Sequence, residues 1–231
     1  MPPFMSFLPV LFIALAIVAI VFGWQAEKKR RAAFQAWADA HGWSYHHAKD
    51  KGWVRRYSFL DRLQQGHSRV AMHRLSGRWG ERRAAGFTLR YVTGSGKNAQ
   101  THIWSVALLE MERRFPELTI APENILSRFG QALGFDDIDF ESAEFSKAFA
   151  VRSDDKKLAY DFCNTGMMEF LLQHRGTVLE LEGDTLAVLA RKRMKPEDLT
   201  PMLDFLVAVR GHMPDYLFRG DGAGLLADGR G

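Results

Sequence analysis

The sequence predicts an α+β protein: an N-terminal transmembrane helix followed by a soluble domain built from a curved antiparallel β-meander and packed helices. Three observations carry this. No charged side chain occurs from Met1 to Ala26, and the 21 residues from Phe4 to Trp24 are almost continuously apolar. Three runs of about eleven residues then alternate between apolar and polar positions and are joined by short glycine-bearing connections. The remainder carries helix signals: caps, first-turn carboxylates and apolar residues at helical spacing.

A helix of 21 residues is roughly 31 Å long at ~1.5 Å per residue, matching the ~30 Å hydrocarbon core of a bilayer. A cleavable signal would carry its positive charges before the apolar run and have a shorter core. Here Lys28, Lys29, Arg30 and Arg31 come after it. That basic cluster predicts a short N-terminus outside and everything after Trp24 in the cytoplasm of a single-pass inner-membrane protein. Trp24 falls at interfacial depth. The expected lipid-surface contacts are therefore Trp24, Lys28, Lys29, Arg30 and Arg31. Cys163 is the one cysteine, which rules out an intramolecular disulfide and agrees with a reducing compartment.

The organisation read from the chain is an anchor over 1–26, a juxtamembrane helix over 27–42, an α+β domain over 43–217 and a glycine-rich tail over 218–231. The domain divides, if at all, into 43–134 and 138–217. Charge is uneven along it. Residues 27–114 hold 18 Lys/Arg against 7 Asp/Glu, and residues 115–231 hold 13 against 20. A basic half next to a membrane suits anionic headgroups as a partner. Nucleic acid is not expected, because no fold fingerprint or stacking motif accompanies the charge.

Alanines and the Phe34/Trp37 pair predict that the juxtamembrane helix continues the span, with Gly42 ending it. Trp43-Ser44-Tyr45 reads as a short strand, and His46 to Gly66 as irregular with one helical turn near Phe59 to Leu63. The meander is expected over 69–79, 83–93 and 101–111. Leu118 and Ile120 suggest a further short strand, and Pro122 opens a helix through Leu133. Phe149 and Val151 have strand spacing. Ser153 is placed to cap one helix and Thr165 a second. Residues 177–190 read as a hairpin around Gly183-Asp184, and Thr200-Pro201 as the start of a last helix ending at Gly211.

The segment Glu144-Phe145-x3-Phe149-x-Val151-x-Ser153-x-Asp155, with Met167-Met168-Glu169-x-Leu171, resembles an uncharacterised family of bacterial membrane-anchored proteins. The resemblance spans about 69–210. Gly166 departs from it, standing where proline would open the helix. It implies architecture and location and carries over no catalytic residue.

Chemistry is harder to find. Gly94-Ser95-Gly96-Lys97 lacks the upstream glycine and the following Ser/Thr of a phosphate loop, so its glycines are expected to serve a hairpin turn. Asp136, Asp137 and Asp139 miss calcium-loop spacing. The eight histidines form no zinc pattern, the adjacent His46 and His47 diverge on any regular element, and Met167-Met168 reads as core. Cys163 is expected to be buried, and Glu180 and Glu182 to lie on a strand surface. No catalytic, cofactor or metal residue is assigned. The expected role is binding: a scaffold, adaptor or sensor with unidentified protein partners. The alternative is an enzyme or small-ligand receptor whose site is assembled from dispersed residues.

Overall fold

The computed structural model describes residues 7–122, 138 and 140–219. The first element, α1, is one unbroken helix from Phe7 to His41, 35 residues long. Its apolar residues from Leu11 to Trp24 are exposed, whereas Phe34 and Ala38 are fully buried. It is the one described helix long and apolar enough to cross a membrane. Gly42 ends it at φ +65°, a conformation that suits a residue without Cβ.

Beyond it lies a six-stranded antiparallel sheet. Strand β1 (Ser44–His46) pairs β2 (His67–Trp79), which pairs β3 (Arg82–Thr93), which pairs β4 (Gln100–Pro122). The meander is thus present, with Gly80-Glu81 as its first turn and Gly94 and Gly96 both at positive φ in its second. At its far end β4 pairs β5 (Phe149–Ser153), and along its other edge it pairs β6 (Val178–Ala190).

Short helices flank the sheet: α2 (Lys51–Arg56), α3 (Asp61–Gln64), α4 (Ala143–Ala148), α5 (Lys156–Phe162) and α6 (Thr165–Leu172). The longer α7 spans Pro196–His212. The sheet separates two cores. Helices α1 and α4 to α7 cover one face through Phe34, Phe145, Phe162, Met167 and Leu199. Helices α2 and α3 cover the other through Val54, Leu60 and Leu63 against Phe87, Leu89 and Val106. Burying each large side chain contributes roughly 1.5–3 kcal/mol.

Several expectations need correction. Residues 46–66 hold two helices, the first capped by Asp50, whose side chain accepts from Trp53 N–H at 3.0 Å. Leu118 and Ile120 are not a separate strand but the end of the 23-residue β4, which is irregular between Glu110 and Leu118. The hairpin over 177–190 is a single strand. Gly183, at φ +57°, pairs Phe115 within that irregular stretch, so its conformation serves a bulge in place of a turn. Asp155 and Asn164, each two residues or one from the expected Ser153 and Thr165, cap α5 and α6 by accepting from Leu158 and Met167 N–H. The last helix begins at Pro196, not Thr200, because Asp198 reaches back to Lys195 N–H at 2.8 Å. The helix expected over 122–133 and the aspartates 136, 137 and 139 lie outside the described residues.

Candidate functional site

The residues with most unusual environments gather where α1 meets the sheet. Ala71 faces the α2/α3 core while Leu75 faces the α1 core, although residues four apart on a regular strand share a face. A bulge between Met72 and Leu75 reverses the parity. It holds His73 at φ +50° and turns its ring against Phe34, 4.9 Å between ring centroids.

His73 is buried, and both ring nitrogens are engaged. Nδ1 lies 2.7 Å from Tyr45 Oη, and Nε2 lies 3.2 Å from Glu27 Oε1. One proton inventory fits: Tyr45 O–H donates to Nδ1, and Nε2–H donates to the Glu27 carboxylate. The ring is then neutral. Burial first, then the charges of Arg30, Arg193 and Arg31 outweighing the opposing Glu27, take His73 down to about 4. Burial, reinforced by Glu27, pushes the Tyr45 phenol up to about 12, so it stays a donor. Burial alone would raise Glu27, but Arg31, His73, Arg30 and Arg193 outweigh it and hold the carboxyl below its usual range.

The expected lipid-contact residues divide here. Trp24, Lys28, Lys29 and Arg31 are exposed. Lys28 Nζ stands 5.7 Å from the Trp24 ring centroid, and Arg31 pairs Glu27 at 3.3 Å. Arg30 instead folds inward. It donates to the Met194 carbonyl at 2.6 Å and to Thr88 Oγ1 at 3.4 Å, with its guanidinium 5.3 Å from the Phe34 ring. Arg193, after β6, also reaches Glu27, at 3.3 Å. One carboxylate thus ties the base of the apolar helix to β2 and to the β6–α7 segment.

A second polar group lies under α3. Thr119 sits in register between Arg152 on β5 and Glu180 on β6, and all three are buried. Glu180 is therefore not on a strand surface; it accepts from Arg62 N–H at 3.1 Å, and the Arg62 guanidinium lies 4.9 Å from the Trp104 ring. Charges buried this way are held by partners and fix how α3 sits on the sheet. Cys163 is buried and its thiol is pushed up by that burial, which keeps it unreactive. Among the described residues, no group of three His, Cys, Asp or Glu side chains could hold a metal ion.

The joint as a whole is a coupler. It contains an acid, an imidazole and a phenol in line, but each is consumed by its neighbour, and what the arrangement does is fix one helix on one sheet. The sequence offered no sign of His73, because the bulge that aims it depends on β3 and leaves no spacing signature.

No protein-family model matches the chain, and no curated protein matches it. Among solved structures, its fold is similar to the crystal structure of the mycobacterial trehalose monomycolate transport factor A, TtfA, with a TM-score of 0.55 and 12% identity over 80% of this chain and 95% of that one. At that identity the likeness is one of fold: an α+β architecture with an antiparallel sheet.

Proposed function

We propose that this chain is a single-pass membrane protein whose α+β body sits at the cytoplasmic face and works by binding, as a scaffold, adaptor or sensor for protein partners. The observation that carries the reading is the continuity of α1. Its apolar half is exposed on every described side, and its second half is built into the core through Phe34 and Ala38. An exposed apolar cylinder of this length in water would be a severe aggregation liability, and lipid removes it. Lys28, Lys29 and Arg31, exposed at its base, support the cytoplasmic orientation and anionic headgroups as neighbours. That the joint's carboxylate, imidazole and phenol are engaged with one another supports binding over catalysis. A fold shared with a protein named as a transport factor sits well with a body that works by contact.

The test is topology in bacterial cells expressing the full chain. The protein should stay in the membrane fraction after alkaline carbonate extraction. Its body should resist protease added to spheroplasts and be digested in inverted vesicles. Release by carbonate, or digestion from outside, would overturn the reading.

A further inference from the structure

Chain direction shows which end of the sheet faces the apolar segment. Trp37 stacks near Trp79 at 6.2 Å, and ten residues earlier Glu27 meets His73. Helix α1 and strand β2 therefore run in the same sense, and the His67 end of β2 points the way the apolar half of α1 departs. Register carries this across the sheet. His67 pairs Val92, Thr93 pairs Gln100, and Ser105 pairs both Thr88 and Ala190. The β3–β4 loop therefore lies at that end, and the segment after β6 leaves the sheet at the level of Ser105, five residues short of Gln100, heading the same way.

This gathers charge that is scattered in sequence. Lys97 in the loop and Arg191, Lys192, Arg193 and Lys195 after β6 are all exposed. They join Lys29 on the helix, although the post-β6 group belongs to the acidic half of the chain. Within the post-β6 group Lys192 pairs Asp198 at 2.6 Å, Arg193 pairs Glu27 at 3.3 Å and Lys195 lies 3.8 Å from Glu197, and Glu27 also meets Arg31 and His73. Lys29, Lys97 and Arg191 make no ion pair among the described residues. At the opposite end of the sheet Glu112 bridges Arg82 at 2.5 Å and Arg210 at 2.9 Å, Glu110 pairs Arg83 at 3.6 Å, and exposed Arg114 makes no ion pair among the described residues. Burial first, then the charges of Arg191 and Arg62, lower His102 on β4.

Resting on the membrane-anchored reading above, we infer that the folded domain itself docks on anionic lipid headgroups through Lys97 and the Arg191–Lys195 segment. Contact with the bilayer then fixes the tilt of the body as well as its attachment. Headgroup phosphates suit this surface because it offers several separated cations facing the side from which the apolar segment departs.

The experiment uses the full chain in nanodiscs of pure phosphatidylcholine or with about 30% phosphatidylglycerol, read by amide hydrogen exchange. Exchange across 94–99 and 191–195 should slow several-fold on the anionic discs. It should return to the neutral-disc rate in roughly 0.5 M salt, where screening is within about 4–5 Å. The double variant Lys97→Glu/Arg191→Glu should abolish the difference and Lys97→Gln/Arg191→Gln should reduce it, while Arg83→Glu at the opposite end leaves it intact. Equal exchange on the two discs with the chain inserted in both, or slowing that survives salt and the double reversal, overturns this inference alone. Failure to insert in either disc overturns the anchored reading on which it rests.

Discussion

Glu27, at the base of the apolar helix, lies 3.2 Å from His73, which a bulge holds at φ +50° in the second strand of the sheet. This pair links the apolar helix to the sheet, and Tyr45, 2.7 Å from the other ring nitrogen, completes it. Removing the phenol O–H leaves a buried imidazole nitrogen without its donor. Tyr45→Phe should therefore lower the unfolding free energy of the detergent-solubilised chain by about 1–3 kcal/mol in chemical denaturation. A variant as stable as the parent would mean that this hydrogen bond contributes nothing net.

The same pair sets a pH response. His73 is held at about 4 in the folded chain, below its ordinary 6.5. Between those values the unfolded chain binds the extra proton and the folded chain does not, so stability falls as pH falls. The contribution is complete above about pH 6.5 and is lost progressively down to about 4, by roughly 1–3 kcal/mol. Glu27, held below its usual range, extends the loss to lower pH. Melting temperature measured from pH 7.5 to 4.5 should slope downward. His73→Gln should flatten that slope, and an unchanged slope would assign it to other groups.

Gly77 on β2 leaves room for an indole. A Cβ there would come within 2.5 Å of the Trp43 ring, which is itself pinned by donating to the Arg78 carbonyl at 2.8 Å. Gly77→Ala should destabilise by about 1–3 kcal/mol through overpacking. Replacing Trp43 with Leu in the same chain should make the alanine nearly silent. Thermal unfolding of the four members of that cycle measures the coupling.

Gly183 tests the reading of β6 as one bulged strand. Its φ of +57° would cost a Cβ-bearing residue about 1–2 kcal/mol. Gly183→Ala should lose that much, and Gly183→Asn less, since asparagine tolerates this region. A two-residue hairpin turn would instead have let β6 fold back on itself. Hydrogen exchange protection extending on both sides of Gly183, as β4 pairing requires, distinguishes the two.

Much of the fold was legible because its signals are local. An uncharged apolar run announces its own length, and the glycines at 80, 94 and 96 announce the meander turns. The features that escaped depend on a partner. At Gly183-Asp184 the turn signal is real, but β4 is long enough to pair both arms and converts the turn into a bulge. At the last helix two start signals compete, and Pro196 with Asp198 prevails over Thr200-Pro201, leaving Pro201 in the interior. Glu180 carries no mark of burial in its neighbours; Arg62, 118 residues away, donates its N–H to it. The candidate site was half visible. The basic cluster at 28–31 stands out in the sequence, whereas His73 and the Arg191–Lys195 segment reach it only through register.

An unbroken α1 also makes the body's compass bearing a matter of counting. Each residue turns an α-helix by about 100° and lengthens it by ~1.5 Å. Because no break separates Trp24 from Phe34, one alanine inserted between Trp24 and Glu27 would swivel the sheet about a quarter-turn relative to whatever the apolar half is lodged in. Seven inserted residues, close to two full revolutions, would lift the body by about 10 Å yet return it to nearly its starting heading.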